Sequence, residues 1–397
     1  MKALQLLLFI FLSFFISVSV CGQVQPAFDK HTGSIIDNHT WIPREAQPLQ
    51  KLPNAGPYIQ LHNGILLTVD SSSCFTSSDK GKTWKQTGIF ANSSSFKIGG
   101  EHVLLETSRG MLILAFSNLR EASHLIWDSV AFDFKEAILP TYVTRSLDGG
   151  RTWETPQKLH NSWTGANRSI IETRSGAVVF TSMMMRHNPC HHTVLTYTSF
   201  NDGKDWTRSN IIDLGGRGDH SGVTESCIVQ LNDGRLWQLI RTNWGCLWQA
   251  YSKDEGLTWT DISTSTIDAS SAPAMVKRLS SGRLILLWNR RFPSGGNTYP
   301  MRGGNGSRFS EVAVINHREE LSVSLSDDDG KSWSVPKVIA KNLQYPNQDK
   351  MASWIAYPFV LEPEPGLLWI TTMQGGLKIS IKESDCSNRG KAPFGRY

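Results

Sequence analysis

Six times along the chain a glycine leads into a short, almost wholly apolar run. The runs are G-I-L-L-T-V from Gly64, G-M-L-I-L-A-F from Gly110 and G-A-V-V-F from Gly176. They return as G-R-L-W-Q-L-I from Gly234, G-R-L-I-L-L-W from Gly282 and G-L-L-W-I from Gly366. Each is too short for a helix in this setting and opens after a turn residue, the pattern of a buried strand. No segment carries the apolar spacing of a convincing amphipathic helix.

The polar positions between these runs repeat as well. S-S-D-K-G-K-T-W (Ser77 to Trp84), S-L-D-G-G-R-T-W (Ser146 to Trp153) and S-F-N-D-G-K-D-W (Ser199 to Trp206) share one form. S-K-D-E-G-L-T-W (Ser252 to Trp259) and S-D-D-D-G-K-S-W (Ser326 to Trp333) complete the set. In each, the Asp or Asn accepts from backbone N–H groups, the Gly takes a positive φ, and the Trp anchors the loop. Six units of roughly 40 to 60 residues argue for radial repetition of small sheets, a six-bladed β-propeller. The last blade, from about Trp354 to Lys382, lacks the octapeptide, and residues near Ser34 to Leu52 are expected to supply its outer strand. The division that follows is a leader at 1–22, an N-terminal segment at 23–50, the propeller at 51–382 and a tail at 383–397.

The leader changes the expected location. Lys2 precedes the apolar stretch Leu6 to Val20, broken only by serines, and S-V-S-V-C-G-Q follows, a secretory pattern. The expectation is a secreted or periplasmic protein, with lipid anchoring at Cys21 as the alternative; no later run is long enough to span a bilayer. Among 397 residues, 40 basic and 35 acidic side chains give a formal charge of +5, with no Lys/Arg run suited to nucleic acid. Beyond Cys21 the cysteines form no C-x-x-C pair, against a zinc ribbon or cystine scaffold. His187, His191 and His192 surround Cys190 in R-H-N-P-C-H-H, but no local carboxylate completes a metal cluster. No metal and no cofactor are expected.

The octapeptides are Asp-boxes, and over roughly residues 50 to 382 the chain resembles the sialidase superfamily of propellers. The resemblance implies a Glu and an Arg in one blade, here Glu225 in T-E-S-C-I-V-Q and Arg241 ending W-Q-L-I-R. It implies a second Arg before an Asp-box, Arg318 in N-H-R-E-E-L, and a Tyr opening the last blade, Tyr357 in S-W-I-A-Y-P. In such enzymes a neutral Tyr attacks a sugar whose anomeric carbon bears a carboxylate, a Glu takes its proton, and arginines clamp the carboxylate. Tyr357 and Glu225 would be the nucleophile pair, Arg241 and Arg318 the clamp. From the residues alone, Glu225 with Arg241 is alternatively a buried ion pair, Tyr357 a core ring, and Arg318 a surface partner of Glu319 or Glu320.

The pattern departs from the family in the first blade. No Arg precedes Pro57 in N-A-G-P-Y-I-Q, and the loop after Leu67 is stripped down, leaving Asp70 as its only acid. An insertion after the second-blade run, S-N-L-R-E-A-S-H-L-I-W-D-S-V-A-F-D-F, offers Arg120, Asp128 and Asp133, and Asp128 is taken as the relocated acid. Arg168, His187 and His220 are expected around the same mouth, with Arg291 from the Arg-rich, Gly-rich loop that also holds Arg290, Arg302 and Arg308. The reading is an exo-acting hydrolase of sialidase type acting on an anionic glycan. A hydrolase or lyase for another acidic polysaccharide, uronic or sulfated, and a glycan-binding propeller remain the alternatives.

Overall fold

A computed structural model describes residues 28–304 and 310–387; the leader, Cys21, Arg308 and the end of the tail lie outside them. Six antiparallel sheets run outward from an inner strand, with N-terminal residues supplying outer strands to the last two, and Met301–Arg302 pairs with Val314–Ile315 in a separate two-stranded sheet. The inner strands are Tyr58–Gln60, Val103–Glu106, Ile170–Glu172, Val223–Gln230, Met275–Arg278 and Ala356–Glu364. Among the described residues the only helical turns are three short 3-10 segments. The architecture is the six-bladed β-propeller.

All six glycine-led runs become the second strand of their blade, from Leu66–Asp70 in the first to Leu367–Gln374 in the last. In the second blade, Leu112–Ser117 is buried along its whole length. Both faces meet neighbouring blades: Leu112 and Leu114 pack with Leu67 and Val69 of blade one, while Ile113 and Ala115 pack with Val178 and Phe180 of blade three. The core therefore lies between sheets, where each fully buried aliphatic side chain contributes about 1.5–3 kcal/mol.

Every octapeptide joins the third strand of its blade to the fourth. In the second blade, Asp148 accepts from the Thr152 amide at 2.9 Å and the Thr152 hydroxyl at 2.6 Å. The Ser146 hydroxyl bonds Asp148 and accepts from the Gly150 amide. Gly150 has φ 86°, and a Cβ there would meet Leu67 at 2.9 Å, so a side chain would push the box off blade one.

Residues 34–52 divide between two blades. Thr40–Pro43 pairs with Lys337–Asn342 and, with Gly33–Ile36, widens blade five to six strands. Gln47–Pro48 then pairs with Ile379 and Ser380 as the outer strand of blade six, joining the two ends of the ring. The five cysteines Cys74, Cys190, Cys227, Cys246 and Cys386 are free thiols. Among the described residues no helix is long and apolar enough to cross a membrane.

Candidate active site

Two inner strands present ionisable side chains from strained backbone. The pairing of Val223–Gln230 with Leu236–Thr242 slips between Thr224 and Ser226, leaving Glu225 as the extra residue, with φ 31°. Such a bulge re-aims its side chain. Tyr357, second residue of Ala356–Glu364, has φ 62°, a left-handed conformation that a bulky residue adopts only where its surroundings impose it.

These two residues meet. The Tyr357 hydroxyl donates to Glu225 Oε1 at 2.8 Å. Arg241, from the strand beside Glu225, bonds Glu225 Oε2 and donates to the Tyr357 oxygen at 3.2 Å. Its other terminal nitrogen donates to Ser271 Oγ at 2.9 Å. Arg318 stacks 4.5 Å from the Trp354 ring and 5.6 Å from the Tyr357 ring, and donates to Gln374 Oε1 at 2.9 Å. Arg168 lies 5.1 Å from the Tyr357 ring on another side and donates to the Pro358 carbonyl.

The charges follow from this packing. Burial raises the Tyr357 hydroxyl well above the ordinary tyrosine range, and the Glu225 charge adds to it, so the phenol is neutral. Burial opposes ionisation of Glu225, but the Arg241 charge and hydrogen bond outweigh it and bring the carboxyl to about 2. Glu101, just before the inner strand of blade two, shows the reverse. Burial and then the Glu225 charge push its carboxyl up to about 8, keeping it protonated at neutral pH.

Glu101, Glu225 and Tyr357 line one cavity of about 490 Å³, together with Asp219 and His220. This lies within the ~300–1,000 Å³ of small-ligand sites. Its apolar side comes from Trp163, Met183, Met185 and the blade-two insertion, which contributes Leu119, Leu125 and Phe134. A second cavity of about 550 Å³ follows the axis between the inner strands and includes Arg168, His102 and Lys277.

The structure thus gathers Tyr357, Glu225, Arg241 and Arg318, together with His220, and revises the other expectations. Asp128 does not line the cavity. It is paired with Lys135 at 2.6 Å and accepts from the Val130 and Ala131 amides, so its carboxyl serves its own loop. His187 is bound to Asp133 at 2.8 Å and Arg291 lies against Phe292 and Gly245; neither lines the cavity. Arg168, Arg241 and Arg318 are buried behind the Tyr357–Glu225 pair rather than exposed in the wall. Glu101 also lines the cavity, although the sequence reading did not single it out. Its only sequence signal is an acid between Gly99-Gly100 and an apolar strand, in I-G-G-E-H-V-L-L.

Residues 126–370 match the BNR repeat-like domain family. No curated protein matches the sequence. Among solved structures the chain is similar to a Dyadobacter fermentans protein described as of unknown function, with a TM-score of 0.57 and 16% identity over 86% of this chain and 98% of that one. It is also similar to a Hadza microbial sialidase, with a TM-score of 0.56 and 15% identity over 84% of this chain and 66% of that one. A third likeness is to the Penicillium chrysogenum alpha-L-arabinanase complexed with arabinobiose, at a TM-score of 0.51 and 12% identity over 83% and 93%. At these identities the likeness is one of fold.

Proposed function

The chain belongs to the BNR repeat-like domain family, and we propose that it is an exo-acting glycoside hydrolase of sialidase type that removes a terminal acidic sugar. The observation that carries this reading is the 2.8 Å hydrogen bond from the Tyr357 hydroxyl to Glu225 in the wall of a cavity of about 490 Å³. As Tyr357 Oη bonds to the anomeric carbon, its proton passes to Glu225. Glu101 gives its proton to the departing glycosidic oxygen, and that C–O bond breaks. Water then attacks the same carbon, giving its proton to the Glu101 carboxylate, while the phenol leaves and regains its proton from Glu225.

Charge supports an anionic substrate. Arg168, Arg241 and Arg318 lie around the phenol and outnumber the Glu225 carboxylate bonded to it. In a low-dielectric floor this excess favours both a sugar carboxylate and the phenolate that leaves in the second step. One observation favours a second reading. Arg241 and Arg318 donate to Ser271, Gln374 and the Glu225 carboxylate, so no ready two-pronged fork faces the cavity. A hydrolase or lyase for a uronic or sulfated glycan needs no such fork at the anomeric centre. The secretory leader fits either substrate.

The test is covalent trapping. A fluorinated sialosyl fluoride, which forms the sugar–enzyme bond faster than water breaks it, should add one sugar mass to the peptide carrying Tyr357. Turnover of sialosides with the label on a different residue would remove Tyr357 as nucleophile. An ultraviolet-absorbing unsaturated product from a uronic glycan would establish the lyase.

A further inference from the structure

In the lining of the same cavity as the Tyr357–Glu225 pair, two segments from neighbouring blades come together. His192 belongs to His191–Ser199, the third strand of blade three. Asp219 and His220 belong to the loop G-R-G-D-H-S-G that leads into blade four. The His192 amide donates to the Ser221 carbonyl at 2.8 Å and His192 bridges Gly222, which fixes the loop against the strand. A Cβ on Gly222, whose φ is 89°, would lie 2.4 Å from the His192 carbonyl, so only glycine permits this approach.

One ring nitrogen from each histidine and one carboxylate oxygen of Asp219 all lie within 4.8 Å of one another. His192 is 2% exposed, and both of its ring nitrogens are buried with no hydrogen-bond partner. Buried imidazole nitrogens are rarely left so, and a group of this kind needs an explanation.

We propose that His192, Asp219 and His220 form a three-ligand site for a divalent transition-metal ion of the zinc class, with its remaining position open to the cavity. Two imidazoles and a carboxylate suit Zn²⁺, whereas Ca²⁺ and Mg²⁺ prefer oxygen throughout. Three protein ligands around tetrahedral zinc leave a fourth place for water or a ligand oxygen. All three residues line the cavity, so that place opens on the space Tyr357 faces. Neither Tyr357 nor Glu225 supplies a ligand, so metal binding is tested separately from the hydrolase reading although the two share one cavity.

The experiment is metal binding by the full-length protein after stripping with chelator. Calorimetric titration with Zn²⁺ should give one ion per chain, and Co²⁺ should give the visible absorption of a four-coordinate ion. His220→Ala, at a side chain 44% exposed, should weaken Zn²⁺ at least ~10–100-fold, the loss seen even for outer partners of a metal ligand. His192→Ala should do the same, and circular dichroism reports whether that buried change unfolds the chain. His187→Ala, outside the cluster, should bind as the unaltered protein does. No stoichiometric Zn²⁺, equal binding by His220→Ala, or an equal loss in His187→Ala would each overturn the proposal.

Discussion

Glu101 and Glu225 face one another in the cavity wall, and their environments drive the two carboxyls apart. Arg241 pulls Glu225 down to about 2, while burial and the Glu225 charge hold Glu101 up at about 8. Two titratable groups separated in this way are the pattern of an acid beside a base. Activity should therefore fall as pH rises through about 8, where Glu101 loses its proton. Glu101→Gln should lower turnover of natural glycosides by ~10²–10⁴ and remove that alkaline limb. An aryl glycoside, whose leaving group needs no proton, should recover most of the rate. A pH–rate profile unchanged in Glu101→Gln would exclude it as the acid.

The same pair bears on stability. Between the ordinary carboxyl range and about 8, the folded chain holds the Glu101 proton that the unfolded chain has released. The folded state then binds more protons, so stability declines with rising pH across that window. Thermal unfolding of Glu101→Gln should lack this decline.

Tyr357→Phe removes one hydroxyl and leaves the ring between Arg168 and Arg318. The structural cost should be only about 0.5–1.5 kcal/mol, while turnover should drop at least ~10³-fold, as for other lost nucleophiles. Calorimetry and a glycoside assay on one preparation separate the two effects. Near-normal turnover would leave Tyr357 a core ring.

Arg241 and Glu225 form a buried ion pair. Arg241→Met leaves Glu225 buried without its main partner, at a cost of about 3–5 kcal/mol. Adding Glu225→Gln should return a large part of that loss, read as recovery of the denaturant midpoint. Additive losses in the double variant would mean the two do not act as a pair.

In the third octapeptide two departures from the repeat compensate one another. Asn201 Nδ2 donates to Asp205 Oδ2 at 2.8 Å, where in the second box the Thr152 hydroxyl donates to Asp148. Donor and acceptor have changed places. Asn201→Asp alone would set two carboxylates together and should lower stability by about 1 kcal/mol. Asn201→Asp with Asp205→Thr restores the usual pairing and should recover it. A single change that raises the melting temperature would contradict this exchange.

The octapeptides were legible because their chemistry is local: each bond among Ser146, Asp148, Gly150 and Thr152 joins residues at most four apart in sequence. Blade number was legible for the same reason, since each glycine-led run declares a strand without reference to any other. Tyr357 and Glu225 were singled out through the family pattern around them, and they share a hydrogen bond. Asp128 was misjudged because an acid on an inserted loop says nothing of its neighbours, and Lys135 claims it from seven residues away.

The order of strands, the turns that join them and the ring they build were written in residues that act on near neighbours. The site was decided by contacts across the ring: Tyr357 with Glu225, 132 residues apart, and Glu101 with Glu225 from different blades. Proton affinity depends on which water is excluded and which charges are near, and both are set only once the blades close. The same closure brings Asp219 to His192, supplying the carboxylate that the histidine-rich stretch lacks in its own sequence.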